Sequence, residues 1–380
     1  MRIGIPAEIR PGETRVAATP ETARKLIHGG RHTLAVQAHA GNGACIPDAD
    51  FQSAGAEIAT SGADIYSQSD IVLKVRAPTS AELPLLRRGS VLVGLLNPHD
   101  EAGIDMLAAT GVTAFAMEAI PRITRAQTID VLSSQANIAG YKAVLLAANE
   151  YGRFMPMLMT AAGTVKAARV LVLGAGVAGL QAIATAKRLG AVVEAFDVRP
   201  AVKEQVESLG ARFIEVPVRD AEKTAAETSA GYARVMSEDY RQRQAALIDD
   251  RARAADIIIT TALVQGRRAP VLLREDTVQR MKPGSVIVDL AVEQGGNCAL
   301  TERDRVATKH GVLLVGYSNL PAMVAADASA LYARNLLSFA NLLLDPSTGE
   351  LEIDRTDDII GASLVCIDGA PVRTREATLA

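Results

Sequence analysis

Short apolar runs alternate with amphipathic stretches along the whole chain. Apolar runs such as 70–75, 90–96, 257–261 and 285–289 are separated by segments with helical periodicity. One such segment begins after Thr19, a residue type that caps helix N-termini. This alternation of strands and helices predicts an α/β protein with largely parallel sheets.

The arrangement of two long helices predicts how the chain is divided. Residues 131–151 and 325–344 contain no proline and read as long helices. At 380 residues, the chain exceeds the usual size of one domain. We predict two Rossmann-like, doubly wound domains with a cleft between them. Residues 1–135 and 320–380 form a discontinuous first domain, and residues 136–319 form the second.

A polar insertion interrupts the rhythm of strands in the second domain. Residues 219–253 are rich in charged side chains, although much of the segment is compatible with helix. One interpretation is a solvated surface excursion. The other is a mobile flap over a binding site, because long insertions in compact domains often act as lids. The sequence pattern leaves both interpretations open.

Composition and charge narrow the classes of function. Apolar residues make up 49% of the chain and charged residues 22%, with a net charge of −3. Without a basic field, nucleic acid is not an expected partner. No apolar run is long enough to span a membrane, and the start lacks a signal peptide, so we expect a cytoplasmic protein. Three scattered cysteines predict reduced packing residues and no metal site.

A glycine motif carries the clearest chemical signal. Gly174, Gly176 and Gly179 form G-x-G-x-x-G, with Val177 and Ala178 inside it, between an apolar strand and a helix. These glycines permit a tight turn, let the backbone approach a pyrophosphate and allow close helix packing. Asp197 follows where a carboxylate would accept ribose hydroxyls, which favours NAD over NADP. Arg199, two residues later, weakens that preference slightly.

Candidates for acid–base chemistry are few. A dehydrogenase needs a general acid or base near the reacting carbon. Of the histidines, His99 follows a strand and could face a cleft. Lys74 ends a strand, and Arg15 lies in a loop, where each could bind a substrate carboxylate. For Lys74 and Arg15 the alternative is a solvated charge, at the end of the strand or in the loop.

The densest polar cluster, PRITRAQTIDVLSSQ at residues 121–135, precedes the first long helix. Within it, Arg122 could bind a phosphate or carboxamide, Gln127 an amide, and Asp130 or Ser133 a ribose. Alternatively, Asp130 and Ser133 satisfy the amides at the start of the helix. Composition does not choose between these interpretations.

Four segments together carry a family resemblance. The segments 121–144, 170–213, 231–239 and 286–297 closely resemble the NAD(H)-binding alpha subunits of proton-translocating NAD(P)⁺ transhydrogenases. The chain is also similar, more distantly, to alanine dehydrogenases, which share the two-domain fold. The resemblance spans nearly the whole sequence.

The resemblance implies a set of site residues. The loop with Arg122, Gln127 and Asp130 would hold the nicotinamide and its ribose, with Ser133 beside it. Tyr232 would head a mobile loop that folds over the nucleotide, which favours the flap interpretation. The implied nucleotide contacts are Gly174, Gly176, Val177, Ala178, Gly179, Asp197, Val198, Arg199, Gly231, Gln244 and Leu263.

The resemblance also implies a reaction and its partners. Hydride would pass directly from NADH to NADP⁺ held by a partner subunit, so neither a general acid nor a metal or flavin is needed. A membrane component would translocate protons. We expect a homodimer, peripheral to the inner membrane through its partners.

Two alternatives remain open. One is a self-sufficient alanine dehydrogenase that uses Arg15, Lys74 and His99. The other is a noncatalytic NAD-binding module. The tail after Asp345 could either reach toward a membrane subunit or form a short closing strand around 362–367.

Overall fold

The computed structural model describes residues 1–216, 238–264 and 266–372. The chain divides into two compact units. Of the described residues, the first contains Met1–Gln135 and those from Pro321 onward, and the second contains those of Ala136–Leu320. Each unit is built on a largely parallel sheet with helices, so the predicted α/β class is confirmed.

The strands are short and mostly apolar. In chain order they are β1 (Arg2–Ile5), β2 (Thr33–Gln37), β3 (Glu57–Ala59), β4 (Ile71–Arg76), β5 (Val91–Leu95), β6 (Thr113–Ala116), β7 (Leu158–Thr160), β8 (Gly163–Val165), β9 (Arg169–Leu173), β10 (Val192–Phe196), β11 (Arg212–Phe213), β12 (Ile257–Thr260), β13 (Val286–Asp289), β14 (Val306–Lys309), β15 (Val312–Val315), β16 (Leu364–Ile367) and β17 (Ala370–Pro371).

Helices connect most of these strands. They are α1 (Pro20–Ile27), α2 (Asp48–Ser53), α3 (Gly62–Gln68), α4 (Glu101–Ala109), α5 (Val131–Glu150), α6 (Val177–Arg188), α7 (Lys203–Ser208), α8 (Glu238–Ala254), α9 (Glu275–Gln279), α10 (Ala325–Leu343) and α11 (Asp358–Ser363). Helix α1 begins as predicted, because the Thr19 side chain accepts from the Thr22 N–H in a capping box.

Both main sheets have a doubly wound strand order. The first unit's sheet runs β17-β16-β6-β5-β4-β1-β2-β3, and the second unit's runs β11-β10-β9-β12-β13-β15-β14. Strands β14, β16 and β17 pair antiparallel with their neighbours. In each unit the strand order reverses beside the first strand, β1 or β9. Ligands bind at the carboxyl ends of strands at such a reversal.

The second unit has a core on each face of its sheet. Along β9, Val170 and Val172 pack into one apolar cluster, whereas Leu171 and Leu173 pack into another. Successive side chains of a strand point to opposite faces, and both faces here are covered. This explains why β9, β12 and β13 are almost wholly apolar.

The two long helices match their predicted ranges within one residue. Helix α5 ends at Glu150 and α10 ends at Leu343. At the C-terminus, β16 pairs with β6 as a closing strand, but helix α11 extends to Ser363, so the strand starts later than predicted. Within the polar insertion, α8 begins at Glu238, and residues 217–237 lie outside the described residues.

The cysteines depart from expectation at one position. Cys298 and Cys366 are buried as predicted, but Cys45 is exposed. Cys45 ends a short 3₁₀ turn in a left-handed conformation, with φ +59°, which directs the chain into the next loop. In the ranges that the structure describes, every helix is too short or too polar to cross a bilayer.

Helix α5 approaches α6 so closely that only glycine fits. A Cβ atom added to Gly140 would lie 2.1 Å from the backbone oxygen of Ala178, in the first turn of α6. Real Cβ atoms do not approach an oxygen so closely, so one helix would have to move.

We expect Gly140→Ala to lower the denaturant midpoint of unfolding. The overlap should cost about 1–3 kcal/mol, which outweighs the gain in helix propensity of about 1 kcal/mol. Gly152→Ala is the matched control, because a Cβ there would meet no atom of the described part of the chain within 4 Å. Equal midpoints for the two variants would show that α5 and α6 separate freely.

Candidate functional site

The predicted glycine turn lies directly at the end of β9. Gly174 has φ +103°, and its N–H donates to the backbone oxygen of Phe196 in β10. A Cβ on Gly179 would lie only 1.9 Å from the Gly174 oxygen. The first and third glycines of the motif are therefore required by the turn itself.

The middle glycine opens space at the start of α6. Gly176 is the N-cap of α6 and makes no side-chain cap. Val177 is exposed and Ala178 half-buried, so the first turn is accessible from outside. Among the described residues, the one atom within 4 Å of a Cβ added to Gly176 would be a guanidinium nitrogen of Arg199, at 3.9 Å. Exposed N–H groups of a helix N-terminus suit a phosphate.

Asp197 closes β10 beside this turn and is held by several donors. Its Oδ2 accepts from the Ala175 N–H at 2.7 Å and from Arg199 Nη2 at 3.0 Å. Its Oδ1 accepts from the Arg199 N–H at 2.9 Å and from Arg199 Nε at 3.0 Å. Burial alone would raise the pKa of Asp197, but the hydrogen bonds from Arg199 and Ala175 bring it below its ordinary value.

This arrangement changes the interpretation of the DVR segment at 197–199. The sequence predicts that Asp197 faces ribose hydroxyls with an available carboxylate. In this structure, Arg199 forms an ion pair with it, and the Asp197 side chain is 6% exposed. Val198 is half-buried and packs against the second apolar core of the unit. A ribose would therefore meet a carboxylate already bound by guanidinium.

Two other predicted contacts in the second unit are described by the structure. Leu263 is 49% exposed and follows β12 in a loop. Gln244 is half-buried on α8. Gly231 and Tyr232 lie outside the described residues, so their assigned roles stay predictions.

Thr261 is a contact that sequence reasoning missed. Its N–H donates to the Leu173 oxygen, and its Oγ1 donates to the Gly174 oxygen at 2.9 Å. The loop after β12 is thereby fixed to the glycine turn. The available signal was a threonine directly after a buried apolar strand, but the sequence does not reveal that β12 neighbours β9.

The predicted polar loop belongs to the first unit. Residues Thr124–Ile129 form a 3₁₀ turn that buries Ala126 and Ile129. Arg122 and Gln127 are exposed, and Asp130 is half-buried. The loop thus directs two polar side chains outward from an apolar anchor.

Asp130 and Ser133 cap helix α5. Asp130 Oδ1 accepts from the Ser133 N–H at 2.9 Å, and Oδ2 accepts from the Ser133 hydroxyl at 2.5 Å. This is the N-cap role that the sequence analysis left open. The cap fixes the start of α5 and so the end of the polar loop. Both oxygens of Asp130 are engaged in that task.

Helix α10 and the start of α11 anchor the same loop. Asn335 on α10 donates to the Thr128 oxygen at 2.8 Å and accepts from the Ser134 hydroxyl at 2.8 Å. Arg125 forms an ion pair of 2.7 Å with Asp357, the N-cap of α11. The loop that carries Arg122 and Gln127 is therefore tied to its own unit at several points.

Arg15 and Lys74 are buried, contrary to the surface interpretation. Arg15 donates to both oxygens of Glu13, at 2.6 and 2.8 Å, and to Gln135 Oε1. Lys74 is 1% exposed and donates to Glu82 at 2.8 Å. Each buried cation is thus paired with a buried carboxyl group, Arg15 with Glu13 and Lys74 with Glu82.

More acid groups surround Lys74. Glu8 Oε2 lies 3.4 Å from Lys74 Nζ, and desolvation raises the pKa of Glu8. Desolvation also acts on Glu82, but Lys74 outweighs it and lowers the pKa of that carboxyl. His99, by contrast, is exposed in the turn after β5. The structure thus gives the two buried cations internal partners and leaves His99 at the surface.

The second unit fits a dinucleotide on structural grounds. The glycine turn clears space for a phosphate, α6 directs its N-terminus there, and Asp197 ends the neighbouring strand. Among residues 1–216, 238–264 and 266–372, no group of three or more His, Cys, Asp or Glu side chains could hold a metal ion. Fold and site define a Rossmann-type α/β protein with a candidate dinucleotide site.

The chain belongs to the alanine dehydrogenase/PNT family. The model of that family's N-terminal domain matches residues 4–139, and the model of its C-terminal domain matches residues 143–374. The predicted family resemblance is therefore confirmed.

Individual relatives agree with this assignment. The chain is 51% identical to an NAD(P) transhydrogenase alpha subunit of Rhodospirillum rubrum, with 98% of each chain covered. It is 30% identical to alanine dehydrogenase of Mycobacterium tuberculosis, covering 100% of this chain and 96% of that one. A transhydrogenase structure from Sinorhizobium meliloti superposes with a TM-score of 0.88 at 46% identity, covering 98% of this chain and 100% of that one.

We expect Arg199→Ala to raise the pKa of Asp197 toward its ordinary value. The lowered pKa in the folded protein contributes stability that is present above the ordinary pKa and is lost as the pH falls through the lowered value. Without Arg199 this contribution to stability should shrink, and the Asp197 carboxyl should take up its proton at a higher pH. Carboxyl ¹³C NMR titration measures the change directly.

Arg212→Ala is the control for this titration. Arg212 is an exposed arginine in the same unit, with a 3.7 Å contact to Glu194. An identical Asp197 titration in wild type and Arg199→Ala would contradict the role given to Arg199.

Proposed function

We propose that this chain is the NAD(H)-binding subunit of a proton-translocating transhydrogenase. The observation that carries the proposal is the 51% identity to a transhydrogenase alpha subunit over nearly the whole of both chains. The glycine turn at 174–179 and the polar loop at 121–135 add chemical support, because each offers groups suited to one portion of a dinucleotide.

In this proposal the second unit binds the pyrophosphate and adenosine. The first-turn N–H groups of α6, next to Val177 and Ala178, donate to phosphate oxygens, and the helix dipole adds to the attraction. Asp197 and Arg199 meet the adenosine ribose, and Leu263 offers an apolar surface. Because Arg199 occupies the carboxyl group beforehand, nucleotide binding has to rearrange this ion pair.

The polar loop of the first unit acts on the nicotinamide end. Gln127 and Arg122 are exposed and chemically suited to the carboxamide and to a phosphate oxygen. Asp130 and Ser133 hold the end of the loop through the cap of α5. Gly231, Tyr232 and Gln244 complete the proposed set, with Tyr232 closing over the nucleotide.

Bound NADH supplies a hydride to NADP⁺ on a partner subunit. The residues of this chain position the ring and exclude water, since transfer between two nicotinamide C4 atoms moves no proton at the reacting carbons. The exposed amide of Gln127 and guanidinium of Arg122 position the nucleotide as hydrogen-bond donors. They are poor acids near neutral pH.

The proposal includes the partners of the family. An NADP(H)-binding component supplies the acceptor, and a membrane component translocates protons. The chain acts as a homodimer, at the cytoplasmic side of the inner membrane, through contacts with those components. No flavin or metal is involved in the proposed transfer.

Alanine dehydrogenase activity is the rival function, supported by the 30% identity to the Mycobacterium tuberculosis enzyme. It would require Arg15 or Lys74 to bind an oxoacid. Both cations already have buried carboxyl partners, Glu13 for one and Glu82 for the other. This pairing supports a structural role for the two residues.

NADH oxidation by the purified chain separates the two functions. Pyruvate with ammonium is offered first, and then NADP⁺ with a purified NADP(H)-binding transhydrogenase component. The proposal predicts turnover only in the second mixture. Turnover with pyruvate and ammonium alone would make the chain an alanine dehydrogenase, and binding without turnover in either mixture would make it a noncatalytic module.

Gln127→Asn tests the proposed loop. The amide is kept but withdrawn by one methylene, so NADH affinity should stay within a few-fold while hydride transfer falls about 100-fold, the cost of a 1 Å misplacement. Stopped-flow transfer at saturating NADH measures the rate. Thr128→Ser, an exposed neighbour on the same turn, is the control. Wild-type rates for Gln127→Asn would remove this role.

A further inference from the structure

Asp289 ends the interior strand β13 and is completely buried. Its Oδ1 accepts from the Thr260 hydroxyl at 2.9 Å and from the N–H groups of Ala291 and Asn297, at 3.0 and 3.2 Å. Its Oδ2 accepts from the Cys298 N–H at 2.9 Å. All four donors are neutral. The hydrogen bonds from Ala291, Asn297 and Cys298 hold the segment 291–298 against the end of the strand.

Asn297 is also completely buried, and its side chain grips the loop after β12. Its Oδ1 accepts from the Ala262 N–H at 3.0 Å, and its Nδ2 donates to the Ala262 oxygen at 2.9 Å. The same Nδ2 donates to the Pro270 oxygen at 2.8 Å. The one side-chain amide of Asn297 thus hydrogen-bonds to both the backbone N–H and the backbone oxygen of Ala262.

Ala262 lies between Thr261, which contacts the glycine turn, and Leu263, a proposed contact of the nucleotide. Before it, the Thr261 hydroxyl donates to the Gly174 oxygen in the glycine turn. After it, Leu263 is 49% exposed. A Cβ on Gly174 would lie 2.5 Å from Thr261 Oγ1 and 3.1 Å from the Ala262 N, so the loop and the turn fit tightly.

We propose that Asp289 and Asn297 are positioning residues for the nucleotide site. Asp289 orients Asn297, the Asn297 amide fixes Ala262, and Ala262 sets both the Thr261 contact with the glycine turn and the exposed face of Leu263. This inference rests on the proposed binding of NADH to that turn. It adds residues that touch no nucleotide themselves.

The chemistry of the network favours this role over general packing. A buried amide that pairs with both polar groups of one residue fixes that residue's orientation as well as its position. Apolar side chains would fill the same volume but would not fix the position of the loop after β12. One end of the network is the glycine turn of the candidate site, and the other is Leu263, which the proposed function assigns to the nucleotide.

Titration of the variants with NADH tests the proposal. The readout is NADH fluorescence, and the chain contains no tryptophan. Asn297→Ala should weaken NADH binding about tenfold, or about 1.4 kcal/mol of binding free energy, because the loop at 261–264 loses the amide that fixes it. Leu263→Ala should also weaken it. In the double variant the two losses should be clearly less than additive, because Asn297 acts through the loop that carries Leu263.

Ser285→Ala is the matched control for stability. Ser285 is buried immediately before β13, at the opposite end of that strand, and its hydroxyl donates to the Ala255 oxygen. Losing that bond should lower the unfolding midpoint and leave NADH affinity at the wild-type value. An equal loss of affinity in Ser285→Ala and Asn297→Ala would reduce Asn297 to a general stabilising residue.

A second pair keeps the test decisive should Asn297→Ala fail to fold. Thr261→Val removes the hydroxyl bound to the Gly174 oxygen, and Thr261→Ser restores it. We expect weakened NADH binding in the first and near wild-type binding in the second. Equal affinity for both would overturn the proposal. Wild-type protein that does not bind NADH would instead overturn the proposed function.

Discussion

The second unit depends on the close backbone packing of helix α6 against the glycine turn and against helix α5. On one side Gly179 lies against the backbone oxygen of Gly174, and on the other Gly140 lies against the oxygen of Ala178. Neither contact leaves room for a Cβ atom. The direction of α6, and with it the direction in which its N-terminal N–H groups point, is therefore set by backbone contact. The turn, the loop at 261–264 and Asp197 are all arranged around that fixed helix.

Buried polar groups of this chain are satisfied in two ways, by ion pairs and by neutral hydrogen bonds, and the neutral network of Asp289 and Asn297 bears on function. In the first unit, buried cations meet buried carboxyl groups, as Lys74 does with Glu82. In the second, Asp289 and Asn297 are satisfied by neutral donors and acceptors around the candidate site. Such a network can hold a loop in place without supplying a proton. That suits a reaction in which placement of the nucleotide, and no acid or base, determines the rate.

Local signals in the sequence predict much of the fold. The Thr19 cap, the glycine turn and the two long helices each depend on residues close together in the chain, so their patterns are readable. The burial of Lys74 is not readable, because it depends on Glu8, which lies far away in sequence. The grip of Asn297 on Ala262 likewise joins residues 35 positions apart.

In the candidate site, too, local features are predictable from the sequence and side-chain partners are not. Residue types and spacing identify Gly174, Gly176 and Gly179, whose roles are steric and local. They identify Asp197 as a residue but not its bonding, because nothing in the spacing indicates that the Arg199 side chain folds back onto it. The cap formed by Asp130 and Ser133 is one of two possibilities that the sequence allows, and the structure contains it.

Isotope transfer is the most direct measurement of the central claim, that this chain delivers hydride from its nucleotide to another without a proton donor. NADH deuterated at the transferred C4 position would be mixed with the chain, a purified NADP(H)-binding component and NADP⁺, and the products analysed by mass spectrometry. Direct transfer predicts that the deuterium appears in NADPH without dilution by solvent hydrogen. Solvent hydrogen at C4 of the NADPH, or deuterium recovered only in a reduced oxoacid when one is supplied, would contradict it.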